Sequence, residues 1–195
     1  LFDLAYLSVI PGIHIASPMD IPTLHGLMQT AYGLKGPMAI RYPRGNAPVM
    51  EDGSSPVETI PGKGRCLTKS ENGNSVAILS LGPIGLEAQK AVNLLKGEGV
   101  DVSHYDMIWL RPLDDSIMKE VASRACGIVT VEDASVKGGL GSTVLEWMAE
   151  KGVMLPVKRL GTPADAWISH ATVAVHNRVT GRVTPRVPIT YRGSS

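Results

Sequence analysis

The sequence predicts an α/β protein with a mainly parallel sheet covered by helices, preceded by part of a second α/β unit. From Ser75 onward, apolar runs of strand length alternate with amphipathic helical segments, which is typical of right-handed crossovers in parallel sheets. A strand–helix–strand pattern also occupies the first 44 residues. The segment between these regions is rich in glycine, proline, serine and asparagine, so we interpret it as a linker.

Composition excludes several classes of protein. The 195 residues are 44% hydrophobic and 19% charged, which is typical of a chain that buries a core. No apolar run approaches the roughly 20 residues of a membrane helix, so we expect no membrane partner. Four widely spaced arginines in the last 30 residues form no dense basic stripe, so we expect no nucleic-acid partner.

The two cysteines, Cys66 and Cys126, lie far apart without the spacing of metal ligands. They predict neither a disulfide framework nor a zinc site, and a reducing cytoplasm is the expected location. The five histidines likewise show no metal-ligand spacing, and no serine lies in a nucleophile elbow. Spacing alone therefore yields no catalytic, cofactor-binding or metal residue.

The front unit, residues 1–46, begins with a short strand at residues 14–16. Asp20 is a suitable N-cap for the helix that follows, and Pro22 fits its first turn, where a missing N–H costs nothing. Gly36 and Pro37 end this helical pattern, and residues 38–42 read as a buried strand. We expect the sheet edge and the apolar helix face of this unit to be exposed in this chain.

Residues 47–74 are predicted to form a linker that contains a hairpin. Asn72 and Gly73 provide the turn between strands at 65–67 and 76–79, because Asn-Gly is a strong hairpin signal.

Residues 75–173 are predicted to form a complete second domain, followed by an atypical, poorly ordered tail at 174–195. Asp114 or Asp115 caps its second helix and Ser142 opens its third. The predicted strands are 75–81, 100–107, 128–131 and 156–160, and the predicted helices are 84–96, one after Asp115, and one reaching about Lys151.

Two arginines, Arg41 and Arg44, lie at the carboxyl end of the second predicted strand of the front unit. Open α/β sheets place ligands at this edge, and a guanidinium group suits a phosphate or a carboxylate. An interdomain salt bridge is the alternative that this pattern leaves open.

A glycine-rich turn at residues 138–141 joins a strand to a helix, a position that can bind anions. Glu132 and Asp133 stand at its entrance and disfavour phosphate electrostatically. We therefore predict that this turn is structural and packs against a neighbouring domain or subunit.

The sequence resembles the 1-deoxy-D-xylulose-5-phosphate synthases of the thiamine-diphosphate-dependent transketolase family. The resemblance covers Leu1 to about Val173, and the tail departs from the family's usual ending. The matching segments are 2–7, 10–12, 16–18 and 36–46, which resemble part of the pyrimidine-binding domain, and 60–64, 81–83, 104–107, 111–114, 129–133, 137–142 and 159–163, which resemble the C-terminal domain.

The resemblance implies a homodimeric enzyme that uses thiamine diphosphate and Mg²⁺. It would condense pyruvate with D-glyceraldehyde 3-phosphate with loss of CO₂, which supplies isoprenoid, thiamine and pyridoxal precursors. By position in the family's Arg-Tyr-Pro-Arg-Gly motif, Arg44 would bind the phosphate of the aldehyde, and Arg41 would belong to the same phosphate-binding site by orienting the loop. The family's catalytic glutamate and magnesium motif do not occur in this chain, so we expect it to be an inactive C-terminal fragment.

Two alternatives remain open. The chain could be a non-catalytic scaffold or dimerisation module with a transketolase C-terminal-like fold. It could also be a β-like subunit of a 2-oxo-acid dehydrogenase, which needs a separate α subunit and does not use the aldehyde phosphate.

Overall fold

The computed structural model describes residues 2–43 and 55–163. Arg44 and the predicted tail at 174–195 lie outside the described residues. In chain order the elements are α1 (Asp3–Leu7), β1 (His14–Ala16), α2 (Ile21–Gly33), β2 (Met38–Ile40), β3 (Arg65–Thr68), β4 (Ser75–Leu81), α3 (Ile84–Gly97), β5 (Val102–Asp106), β6 (Trp109–Arg111), α4 (Asp115–Arg124), β7 (Ala125–Ser135), α5 (Leu140–Lys151) and β8 (Val157–Thr162).

The front unit forms the predicted strand–helix–strand arrangement. β1 and β2 pair in parallel, with His14 opposite Met38. Asp20 caps α2 as predicted, because its carboxylate accepts a hydrogen bond from the backbone N–H of Thr23 at 2.9 Å. The helix packs its buried face, which includes Leu27, on the small sheet and leaves Tyr32 exposed.

β6 joins this small sheet although it belongs to the second domain in sequence. It pairs antiparallel with β1, with Ile15 opposite Arg111, and gives the strand order β2-β1-β6. Trp109 is fully buried there and packs with Ile108, Ala16 and Leu27. This segment is not among the strands that the sequence predicts, because three residues between two longer elements carry too little periodicity to be recognised.

The larger sheet has the strand order β3-β5-β4-β7-β8. The pairs β4–β5, β4–β7 and β7–β8 are parallel, which confirms the predicted mainly parallel sheet. β3 is the exception, since it lies antiparallel to β5 with Arg65 opposite Asp106.

The predicted hairpin at Asn72 and Gly73 is therefore wrong. Both edges of β4 are occupied by β5 and β7, so β3 pairs with β5 instead. The backbone N–H groups of Glu71 and Asn72 donate to the carboxylate of Asp101, at 3.0 and 2.9 Å. This ties the connection to the residue before β5 and directs the chain away from a tight hairpin.

The helices of the second domain follow the prediction, with small shifts at their ends. α3 spans Ile84–Gly97. Asp114, not Asp115, caps α4 and accepts hydrogen bonds from the N–H groups of Ser116 and Ile117. α5 begins at Leu140, two residues before the predicted start at Ser142.

The early start of α5 has a cause in the preceding strand. The carboxylate of Glu132, which is fully buried, accepts hydrogen bonds at 2.9 Å from the N–H groups of Leu140 and Gly141. It satisfies two of the N–H groups that a helix leaves free at its amino end, and its negative charge lies where the helix dipole favours it. Gly139 has no room for a side chain beside this carboxylate.

A polar network in the larger sheet is centred on His104, which is fully buried. Its Nδ1 donates to Oε1 of Gln89 at 2.7 Å, so its Nε2 accepts from the hydroxyl of Ser80 at 2.9 Å. Burial lowers the pKa of His104 to about 4. The imidazole is therefore neutral at pH 7, and all its hydrogen-bonding capacity is used.

We expect acid to destabilise the fold through His104. The unfolded chain binds a proton near pH 6.5 and the folded chain near pH 4, so this stability is present above pH 6.5 and is lost as pH falls towards 4. At pH 4.5 the loss is about 3 kcal/mol. Urea unfolding gives the free energy of unfolding of the natural chain and of His104→Gln at pH 7 and at pH 4.5. The loss due to His104 is the amount by which the difference between the two proteins changes from pH 7 to pH 4.5. A difference that is independent of pH would contradict this assignment.

We also expect Glu132→Gln to destabilise the chain by about 2 kcal/mol, because the amide retains one acceptor and turns an N–H donor towards a helix N–H. Glu146→Gln on the exposed side of α5 is the matched control and should change stability by less than about 0.5 kcal/mol. Thermal and urea unfolding at pH 7 give both values. Equal effects of the two substitutions would show that the buried cap contributes nothing.

Candidate functional site

The candidate site lies at the joint between the two sheets, where the carboxyl ends of β1 and β2 meet the C-terminal domain. Ser17 follows β1, and its backbone N–H donates to the carbonyl of Ile108 at 2.8 Å. Its hydroxyl donates to the carbonyl of Arg41 at 2.8 Å. Gly82, which follows β4 with φ +80°, packs against Ser17 so closely that a Cβ would lie 2.5 Å from its hydroxyl oxygen. The ends of three strands therefore converge here.

Arg41 lies at this convergence, directly after β2. Its backbone N–H donates to the carbonyl of Ala16 at 2.8 Å. Its Nε donates to Oδ2 of Asp3 in α1 at 3.0 Å. The other end of the guanidinium donates to the carbonyl of Asp133 in β7 and lies 3.8 Å from its carboxylate. We call this arrangement of Arg41, Asp3 and Asp133 the Arg41 clamp.

The Arg41 clamp joins the front unit to the C-terminal domain, which is the interdomain salt bridge that the sequence left open as an alternative. Its side chains are largely buried, with 15% of Arg41 and 27% of each aspartate exposed. Ion pairs that are shielded from water are screened less than surface pairs. The charge of Arg41 is thus matched by protein carboxylates. Arg44, the other predicted site residue, lies outside the described residues.

α1 is seated on the glycine-rich turn next to the Arg41 clamp. Leu4 is buried in the main core with Ala134 and Leu140. Gly138 has φ +76° and approaches α1 so closely that a Cβ would lie 2.6 Å from the Cβ of Ala5. This contact confirms the predicted packing of the turn against a neighbouring unit. Two of the N–H groups that could bind an anion at the start of α5, those of Leu140 and Gly141, are taken by Glu132.

A second guanidinium joins the same two units on the other side. Arg65 donates to Oδ2 of Asp106 from Nε at 3.0 Å and to Oδ2 of Asp20 from Nη2 at 2.9 Å. Burial opposes ionisation of Asp20, but hydrogen bonds from Thr23 and the charge of Arg65 outweigh it, so its pKa is lowered. Burial raises the pKa of Asp106, and the Arg65 charge opposes that rise. Arg65 therefore holds two carboxylates that would otherwise repel each other.

Sequence reasoning identified Arg41 but missed its partners. Asp3 was part of a family motif and Asp133 was read only as a charge at the entrance of a turn. Arg65 and Glu132 were not assigned partners either. The sequence offered one weak signal for these pairs. A charged residue directly after, or inside, an apolar strand must be paired when it is buried. The identity of each partner depends on tertiary structure.

The described residues contain no group of three or more His, Cys, Asp or Glu side chains that could hold a metal ion. No helix among them is long and apolar enough to cross a membrane.

Comparison with protein families gives a match over residues 64–183 to the family described as "Transketolase, C-terminal domain". This covers more than half of the chain. The similarity extends into residues 174–183, which were predicted to depart from the family.

Curated relatives named 1-deoxy-D-xylulose-5-phosphate synthase match both units. The protein of Parabacteroides distasonis is 46% identical over 174 residues, which cover 88% of this chain and 27% of that protein. The protein of Bacteroides fragilis is 45% identical over 175 residues, which cover 88% and 26%. That of Cytophaga hutchinsonii is 39% identical over 197 residues, which cover 100% and 30%. The chain thus spans between a quarter and a third of the length of these relatives.

Among solved structures, the chain is similar to one described as "Split gene transketolase, inactive beta4 tetramer". The TM-score is 0.82 at 30% sequence identity, and the match covers 92% of this chain and 57% of that one. The element order, the mainly parallel sheet and the family match agree with one another. The chain belongs to the transketolase C-terminal domain family.

Proposed function

We propose that this chain serves as the C-terminal part of a 1-deoxy-D-xylulose-5-phosphate synthase, a transferase of the transketolase type. The observation that carries the proposal is that relatives of this name match the front unit as well as the C-terminal domain, at 46% identity over 174 residues in one case. The C-terminal domain alone is common to several kinds of enzyme. The front unit carries the Arg-Tyr-Pro-Arg-Gly segment at 41–45.

The whole enzyme would condense pyruvate with D-glyceraldehyde 3-phosphate with loss of CO₂. Within this chain we assign the aldehyde phosphate to Arg44. A guanidinium donates two charge-assisted hydrogen bonds to a phosphate, and the carboxyl edge of a parallel sheet is where such a ligand binds. Arg41 is already engaged by Asp3 and Asp133, so we do not assign the phosphate to it.

Thiamine diphosphate and Mg²⁺ would supply the carbanion chemistry of such an enzyme. The described residues do not fit these groups, because they hold no cluster of metal ligands and Glu132 fills the amino end of α5. We propose that both cofactors are bound by parts of the whole enzyme other than the described residues.

We also propose a cytoplasmic homodimer. The relatives are bacterial enzymes, and the solved relative is described as a tetramer of β chains. Exposed apolar side chains on α1 and on either side of it, including Phe2, Tyr6 and Val9, provide a surface that association would cover.

A second candidate function is a non-catalytic assembly module. The solved relative is described as inactive, which favours this reading for a chain of similar fold. In that case substitutions at the joint change association and stability and leave no catalytic effect to measure.

We expect Arg44→Ala in the whole enzyme to raise the KM for D-glyceraldehyde 3-phosphate by about ten-fold or more, because a charge-assisted contact is lost. The KM for pyruvate should stay within about two-fold. Lys35→Ala, an exposed cation before the amino end of β2, is the control. Steady-state kinetics with each substrate varied in turn give these values, and equal shifts in both KM values would argue against the assignment.

The chain on its own should form no 1-deoxy-D-xylulose 5-phosphate from the two substrates with thiamine diphosphate and Mg²⁺. The described residues offer no site for the cofactor metal. Mass spectrometric detection of product, with a whole synthase as positive control, tests this. Product formation by the chain alone would contradict it.

A further inference from the structure

We propose that the joint between the front unit and the C-terminal domain is linked to a proton. Docking of the two units takes up one proton from solvent at Asp106, so the joint is tighter in mild acid than at neutral pH. Three side chains take part: Asp106 at the end of β5, Arg65 in β3 and Asp20 at the amino end of α2. This inference does not depend on the proposed function.

The cluster of Asp106, Arg65 and Asp20 contains two carboxylates and one guanidinium group. Nη2 of Arg65 lies 2.9 Å from Oδ2 of Asp20 and 3.0 Å from Oδ2 of Asp106. Like charges that share one nitrogen lie within about 6 Å of each other, and each disfavours ionisation of the other. With both acids ionised, the cluster therefore holds one net negative charge at a joint where Asp106 is fully buried.

Asp106 is the acid that takes up the proton. Asp20 keeps 19% of its side chain exposed and accepts a hydrogen bond from the N–H of Thr23 at the amino end of α2, and both features favour its carboxylate. Burial raises the pKa of Asp106 to about 6, with Arg65 opposing the rise and Asp20 adding to it. Once Asp106 is neutral, Arg65 and Asp20 remain as a balanced ion pair.

Charged and titratable groups on the adjacent elements do not neutralise this charge. Lys63, which precedes β3, lies 3.7 Å from Oδ1 of Asp114, the cap of α4. β4 places Ser80 opposite Asp106, and the hydroxyl of Ser80 is bonded to the neutral imidazole of His104. Neither element supplies a second positive charge to the cluster.

A strained turn connects Asp106 to the backbone that crosses the joint. Ile108 has φ +55°, a left-handed conformation that β-branched residues rarely adopt. Its N–H donates to Oδ1 of Asp106 at 3.2 Å, and its carbonyl accepts from the N–H of Ser17 in the front unit at 2.8 Å. Docking thus maintains the strained conformation of Ile108, and separation of the units relaxes it and exposes Asp106 to water.

The sign of the pH effect follows from the two environments of Asp106. In the separated units its carboxyl group returns to its ordinary pKa of 3.8, whereas in the docked units the pKa is about 6. The docked state binds the proton more tightly, so this stabilisation is complete below about pH 4 and is lost as pH rises through 6. The equilibrium constant for separation should therefore rise about ten-fold between pH 5 and pH 7.5.

Hydrogen exchange of the full 195-residue chain, followed by NMR from pH 5 to pH 7.5, tests this link. The N–H of Ser17 reports separation of the units, because its hydrogen bond to Ile108 crosses the joint. After correction for the intrinsic exchange rate, we expect its protection to fall about ten-fold over this range. It should also be less protected than the N–H of Ile78 in the central strand β4. Protection of Ser17 that is independent of pH, or equal to that of Ile78, would overturn the proposal.

Two substitutions assign the effect to the cluster. Asp106→Asn removes the titrating group, so the fall in Ser17 protection should disappear. Asp20→Asn keeps a good N-cap but removes one negative charge, so the fall should shrink to less than about three-fold. His14→Gln is the matched control and should retain the full fall, because His14 is a titratable side chain that packs edge-on against Trp109 in the front sheet. A fall of undiminished size in either aspartate variant would contradict the role of Asp106.

Discussion

The antiparallel pairing of β6 with β1 is the constraint on which the rest of the structure depends. It makes one short strand of the C-terminal domain an integral part of the front sheet. Trp109 and Ile108 enter the front core with that strand, so the two units share apolar packing as well as backbone hydrogen bonds. Because β6 is fixed, the carboxyl ends of β1 and β2 must face the C-terminal domain.

The charged groups at the joint follow from this arrangement. Bringing two domains together at strand ends buries polar backbone and charged side chains, and each of these needs a partner. Arg41 and Arg65 meet that need in the same way, each with carboxylates from both sides of the joint. Their planar, multivalent guanidinium groups suit this task better than lysine. The directed hydrogen bonds of the two guanidinium groups therefore fix how the two units fit together, in addition to the apolar area that they bury.

Local sequence signals predicted most elements, and tertiary contacts decided the rest. Asp20 and Asp114 were recognisable as helix caps because capping is local. The predicted hairpin at Asn72 was wrong because β5 and β7 occupy both edges of β4. A local turn signal carries no information about which strands pair with β4. Arg41 was recognisable by its position at a strand end. Its partners, Asp3 and Asp133, are 38 and 92 residues away in sequence, so only the fold reveals them.

The buried cap of α5 shows how this domain relates to nucleotide-binding α/β proteins. The strand, glycine turn and helix that elsewhere form a cradle for an external phosphate are all present here, but Glu132 supplies the negative charge from within the chain. The carboxylate of Glu132 thus occupies two N–H groups that an external anion would need. A lineage or a designer seeking a nucleotide site in this fold would first have to remove that one carboxylate.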